Sequence, residues 1–360
     1  MKKFSQTLLI VVLVILLAVA GLLGWLTVTE FNPDPVQALD PLTREASAVI
    51  PRGATLNLLS WNIGYAGLGA GSDFIMDGGQ NVRSADENAV RRYLAGIEAL
   101  TSSQDYDLVL LQEVDTDSER TFGIDQAKKL AYGTSYHALN FSCPFVPNPK
   151  TLVYDPIGKV NSGLLSISRY QVAEAERISL PCPFTWPLRI ANLKRCLLVT
   201  YLPIEGSDQK LVLVNLHLEA YDSGEGKIAQ TKQLREFIQS EYQKGNYVIA
   251  GGDFNQVFPR SLDHYPNTHP ELWTPGTLDY DMLPEEPGWQ LVSDLSSPTC
   301  RLLNQPYDPG DTLNTQYYVI DGFIISPNIQ LDLVETLNAG FENSDHNPVR
   351  LQVTLREALG

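Results

Sequence analysis

The segment Tyr106-Asp107-Leu108-Val109-Leu110-Leu111-Gln112-Glu113-Val114 is almost continuously apolar and stops at an acid. A run of this kind reads as a strand buried on both faces, so something must cover it on either side. Further β-type runs fall at residues 56–61, 163–168, 197–202, 211–216, 247–250, 317–325 and 349–354. They outnumber the helical segments. Ser84-Ala85-Asp86-Glu87 has the form of a capping box opening a helix towards Leu100, and a second helix is expected over 227–242, ending near Gly245. No repeat or low-complexity tract interrupts the chain. The expected fold class is α/β, a four-layered α/β sandwich of two packed mixed β-sheets flanked by helices.

Polar side chains cluster where these runs end. Leu56-Asn57-Leu58-Leu59-Ser60-Trp61-Asn62 delivers Asn62, the central run delivers Glu113, and Tyr247-Val248-Ile249-Ala250 leads into Gly252-Asp253-Phe254-Asn255. Ser344-Asp345-His346-Asn347-Pro348 precedes the last strand. Taken singly, such motifs are ordinary turn residues. Together they are the groups that phosphoester hydrolysis needs: ligands for a cation, an orienter for water and a donor for developing charge. A carboxylate at the end of a doubly buried strand is costly unless it is paired or bound to a cation, so Glu113 reads as a ligand. Oxygen ligands of this kind suit Mg2+ or Mn2+. The five His and four Cys show no paired zinc spacing.

The order of these motifs resembles the endonuclease/exonuclease/phosphatase superfamily, which includes deoxyribonuclease I, abasic-site endonucleases, inositol polyphosphate 5-phosphatases and neutral sphingomyelinases. The resemblance runs from about Leu56 to Thr354. It implies that Asn62 and Glu113, with Asp345 close by, hold the metal. It implies that Asp253 and Asn255 orient the attacking water and hold the site together, and that His346, oriented by Asp321, binds the phosphate. His217 falls on the second His, against the scissile phosphate or leaving group. Many members carry an Arg two residues before the orienting Asp, where this chain has Val319. No carboxylate partner for His217 is identifiable from the sequence. Asn161, in Asn161-Ser162-Gly163-Leu164-Leu165, lies in a stretch similar to neutral sphingomyelinases and is a candidate substrate contact, as is Arg83 after the Gly-rich loop that follows Asn62. That loop lacks the spacing and Lys of a nucleotide-binding P-loop.

The N-terminus implies a location. Met1-Lys2-Lys3 precedes an apolar run from Leu8 to Leu26, long enough to span a bilayer. Residues 1–30 are read as a signal anchor or signal peptide with a transmembrane helix at about 7–26, residues 31–52 as a linker, and residues 53–358 as the catalytic domain. The Lys pair would stay cytoplasmic, leaving the catalytic domain membrane-anchored and extracytoplasmic, or secreted if the signal is cleaved. A net charge of −16 argues against a broad nucleic-acid surface. Four Cys allow three full pairings or free thiols. The expected activity is a Mg2+-dependent phosphodiesterase on a phospholipid headgroup. The alternatives are a surface or secreted nuclease, an inositol phosphatase, and a non-catalytic binding module. No protein partner is inferable.

Overall fold

The computed structural model describes residues 2–83, 86–103, 106–151, 154–222 and 224–356. Met1, Ser84, Ala85 and positions 357–358, on which expectations also fell, lie outside these. Two seven-stranded mixed sheets form the centre. The first runs in the order Val36–Ala38, Glu174–Ser179, Cys196–Pro203, Lys210–His217, Tyr247–Asp253, Asp321–Ile325, Gln290–Val292. The second runs Ile329–Thr336, Val349–Leu355, Thr55–Asn62, Leu108–Asp115, Gly158–Ser168, Thr134–Val146, Thr43–Arg44.

Each sheet contains one parallel pair, Lys210–His217 beside Tyr247–Asp253 and Thr55–Asn62 beside Leu108–Asp115. A parallel pair needs a crossover, and a helix supplies each one. The helix α1 (Lys2–Val28) is the apolar N-terminal one, and α2 (Glu87–Thr101) bridges the second sheet's pair. A short α3 (Gln126–Leu130) follows, and α4 (Glu225–Gln243) bridges the first sheet's pair. Val90, Leu94 and Ile97 form the buried stripe of α2 and pack with α3 on the outer face of the second sheet. Leu234 and Ile238 of α4 cover the first sheet. A third core, including Leu58, Leu110, Leu213, Ile249, Phe323 and Leu351, fills the space between the sheets. The result is an α/β sandwich of helix, sheet, sheet and helix.

Several local expectations change. The cap of α2 is Asp86, whose carboxylate accepts the Ala89 N–H at 2.8 Å. The expected strand over 317–325 is two strands: Tyr317–Tyr318 pairs with Cys300–Arg301, and Asp321–Ile325 enters the first sheet. Between them the Val319 and Ile320 carbonyls accept the Phe258 and Phe254 N–H groups at 3.0 and 2.9 Å, so the chain leaves one pairing before it enters the other. Thr134–Val146 and Ile329–Thr336 carry no continuous apolar signal; the former bends through two irregularities in register and the latter is an exposed edge. The 31–52 segment is not a free linker: Val36–Ala38 and Thr43–Arg44 extend one sheet each, and Ile50 is buried in the inter-sheet core. The four cysteines are free thiols.

The approach to the site is set by Gly252, whose φ is 148°. A Cβ there would stand 1.9 Å from the Leu216 carbonyl oxygen on the neighbouring strand. Gly252→Ala is expected to cost about 2–4 kcal/mol, read as a lower urea midpoint at unchanged slope.

Candidate active site

Strand parity decides which side chains reach the site. In the first sheet Leu211 and Leu213, Tyr247 and Ile249, and Phe323 and Ile325 face the inter-sheet core. The same period of two carries His217, Asp253 and Asp321 onto that inner face where the strands end. Register aligns them in one row, with Asp253 opposite His217 on one side and opposite Asp321 on the other. Across the gap, Leu56 and Leu58 face inward, and Asn62 follows at the same parity. Glu113 breaks the pattern. Leu108 and Leu110 face the inter-sheet core while Val109 and Leu111 face the helices, so alternation would send Glu113 towards α2. An irregularity in register between Leu111 and Val114 and a left-handed backbone at Glu113, φ 55°, turn it into the cleft instead. That conformation costs roughly 1–2 kcal/mol for a residue with a Cβ, strain of the kind retained where a side chain must be re-aimed.

One oxygen is the hub. Asp253 Oδ2 accepts Asn62 Nδ2 at 3.0 Å and lies 3.5 Å from His217 Nε2 and 3.9 Å from His346 Nε2. Asp253 Oδ1 accepts the Asn255 N–H at 2.8 Å, and Asn255 Nδ2 donates to the Leu218 carbonyl at 2.9 Å. His346 Nδ1 sits 2.9 Å from Asp321 Oδ2. The loop carrying Asp345 and His346 is fastened to the Thr55–Asn62 strand: Ser344 Oγ donates to the Asn62 carbonyl at 2.7 Å and Trp61 Nε1 to the His346 carbonyl at 2.8 Å.

Charge is concentrated here. Burial, then Asp321, raises the pKa of Asp253. Burial and the Glu113 carboxylate push Asp345 up to about 6 against the opposing pull of His346. Burial would lower His346, but Asp321 and Cys300 outweigh it and hold the imidazolium well above its usual range. His217 moves well below its usual value, first through burial and then through Arg195 and His346.

Crowded, partly desolvated carboxylates of this sort fit a divalent cation, and Glu113 and Asp345 carry carboxylate oxygens that could hold one. Asn62 Oδ1 accepts the Gly64 N–H at 3.0 Å and its Nδ2 bridges Glu113 and Asp253, so it ties two carboxylates together. Asp253, Asp321 and His346 also bring ligand-type atoms within 4.8 Å of one another. The 2.9 Å His346–Asp321 hydrogen bond gives these two residues the character of a proton-holding pair.

The cleft has a volume of about 460 Å³ and is lined by Glu113, His217, Asp253, Asn255, Asp345 and His346. Two expected substrate contacts are not among its walls. Arg83 pairs with Asp155 at 2.8 Å on the surface. Asn161 is engaged by Ser142 Oγ at 2.7 Å and donates to the Asp117 carbonyl at 3.2 Å. Neighbouring strands supply groups that sequence reading missed. Asn140, on Thr134–Val146, lines the cleft while almost fully buried, and neither atom of its side-chain amide has a hydrogen-bond partner among the described residues. Such a deficit costs about 1–3 kcal/mol per group. Arg195, just ahead of the Cys196–Pro203 strand, brings a buried guanidinium into the same wall, whereas Val319 packs into the core. Asp77, from the Gly-rich loop, is pushed up to about 7 by burial and Asp345. Among the described residues no carboxylate meets His217 Nδ1, which is buried without a partner there.

The sequence model of the endonuclease/exonuclease/phosphatase family matches residues 59–346. No curated protein matches the chain. Among solved structures, an endonuclease/exonuclease/phosphatase from Beutenbergia cavernae is similar at 18% identity and TM-score 0.52, covering 85% of this chain and 73% of its own. Truncated Caenorhabditis elegans TDP2 is similar at 14% identity and TM-score 0.50, covering 84% of this chain and 99% of its own. At these identities the likeness concerns the fold. The sequence match over most of the chain carries the assignment: the chain belongs to the endonuclease/exonuclease/phosphatase family.

Proposed function

We propose that this protein is a divalent-metal-dependent phosphodiesterase tethered to the outer side of a membrane. The observation that carries the reading is the row His217, Asp253 and Asp321 on adjacent strands, with His346 on Asp321 and with Glu113 turned to face the row. Enzymes of this family generally use divalent metals. A cation held by Glu113 and Asp345, when bound, supplies a Lewis acid against the non-bridging phosphate oxygens. Asp253 orients the attacking water and accepts its proton, a role that suits a carboxylate whose pKa burial has raised. Asn62 and Asn255 fix its two oxygens. His346, kept protonated by Asp321, presents Nε2 to the charge that develops on the phosphoryl group. His217, held neutral, stands beside Asp253 and Glu113 for the scissile phosphate or the leaving group.

The tether is α1, of which Phe4–Val28 has mean hydropathy 3.0 with its apolar side chains largely exposed. The Lys pair ahead of it favours an extracytoplasmic catalytic domain.

The full-length protein, incubated with Mg2+ or with chelator, is expected to hydrolyse a soluble phosphodiester only with the metal. His346→Ala should lower kcat by about 10²–10⁴ with an unchanged unfolding midpoint, and full activity would remove the site assignment. Glu113→Gln should raise the half-saturating Mg2+ concentration at least about tenfold; an unchanged titration would exclude it as a ligand. A pH profile tests the His346–Asp321 pair. A histidine whose pKa is raised keeps its proton to higher pH, so Asp321→Asn should move the alkaline limb of kcat/KM to lower pH. A limb left in place would mean that His346 does not act as the protonated donor.

A further inference from the structure

The C-terminal turns of α1 do not leave the domain but pack into it. Leu26 is 7% exposed and belongs to a cluster with Ile75, Phe141, Val146, Ile157 and Ile190, against which Leu22, Phe74 and Leu193 also pack. Polar contacts hold the helix end in place. Trp186 Nε1 donates to Thr27 Oγ1 at 3.0 Å, and Glu30 pairs with Arg189 at 3.1 Å and Lys194 at 3.0 Å. Phe74, Phe141, Val146, Ile157 and Leu193 of that cluster also line the catalytic cleft. The apolar wall of the cleft is therefore continuous with the apolar helix.

The same edge is otherwise unusual for a surface bathed in water. Trp25 and Trp186 are 48% and 52% exposed, and Leu188 and Met76, both on the cleft wall, are 66% and 43% exposed. Exposed Trp at the end of an apolar helix is the pattern of a membrane–water interface. The cleft also has an unmet polar demand, since Asn140 presents a buried amide with no partner. Few cations face a longer polyanion: Arg120 is committed to Asp115 at 2.9 Å.

Resting on the phosphodiesterase reading, we propose that the substrate is a phosphoester lipid of the bilayer that holds α1. It enters the cleft sideways from the membrane surface. Its acyl-proximal part lies along Phe74, Ile157 and Leu188, its phosphate reaches Asp253 and His346, and the Asn140 amide binds the polar group beside the phosphate. Water attacks phosphorus, the P–O bond to one ester oxygen breaks, and that oxygen leaves with a proton. Anchor and active site then form one device, because the helix that fixes the protein in the bilayer packs behind the wall the lipid slides along.

The test uses full-length protein reconstituted with Mg2+ into vesicles of phosphatidylcholine and sphingomyelin, with the same labelled lipids in separate protein-free vesicles. Soluble bis(p-nitrophenyl) phosphate and plasmid DNA are assayed in parallel. Lipid in the protein's own vesicles should be hydrolysed at least tenfold faster than lipid in separate vesicles. Leu188→Glu should lower lipid turnover at least tenfold relative to turnover of the soluble diester, and Asn140→Ala should raise KM for lipid more than for the diester. Soluble-diester hydrolysis without lipid hydrolysis, or nicking of DNA with lipid untouched, would overturn the lipid assignment and leave the hydrolase reading standing. Failure of the wild type on every substrate would overturn both. Equal loss on both substrates in Leu188→Glu and Asn140→Ala would overturn the role of the wall.

Discussion

Two stacked sheets must fill the space between them with side chains from alternate positions, and that space has to end somewhere. At one end of this sandwich the inward-facing positions stop being apolar on several strands at once. His217, Asp253 and Asp321 continue the face begun by Leu213, Ile249 and Phe323, and Asn62 continues the face begun by Leu58. Because the packed core holds the strands rigidly, polar groups far apart in sequence are kept within hydrogen-bonding range without flexible loops between them. The parallel pairs sharpen this, since each forces a covering helix and so buries the strand that delivers one of these polar groups.

The electrostatic consequence is severe. Carboxylates from both sheets meet in a cleft where water is scarce, and burial pushes Asp77, Asp253 and Asp345 upward. The structure relieves this in three ways. Asn62 spreads an amide across Glu113 and Asp253, Asp321 keeps His346 positively charged, and the remaining donors on Glu113 and Asp345 suit a cation. Opposite shifts at the two histidines follow from their neighbours: His346 has a carboxylate on its Nδ1, whereas His217 has a buried, unpartnered Nδ1 and Arg195 nearby. Two imidazoles about one carboxylate thus take different protonation states, the separation that acid–base chemistry needs.

The cleft is polar on the side of the strand ends and apolar on the side where α1 arrives. Leu26, Phe141 and Ile157 belong to one cluster, so the N-terminal helix takes part in the packing of the domain. The segment after it is likewise structural, crossing from one sheet edge to the other through Val36–Ala38 and Thr43–Arg44 before Ile50 is buried between them.

Local pattern determined much of this protein. Apolar runs with polar residues at their ends and two helical segments specified an α/β sandwich, and the order of the motifs, through its family resemblance, named the groups that the structure brings together: Asn62, Glu113, His217, Asp253, Asn255, Asp321, Asp345 and His346. These features are legible because strand burial and strand-end chemistry are properties of neighbouring residues. What depends on register, bulges and distant packing was decided only by the tertiary structure. Alternation alone points Glu113 the wrong way, and a left-handed residue in a bulge corrects it. Asn140 lies on a strand with no apolar signature, and Arg195 is brought into the same wall from a position just ahead of another strand. Arg83 and Asn161 were displaced from the cleft by partners elsewhere in the chain, Asp155, Ser142 and Asp117. In each case a long-range contact overrides the local preference, because the free energy of burying or satisfying a side chain is settled by what packs against it and not by its neighbours in sequence.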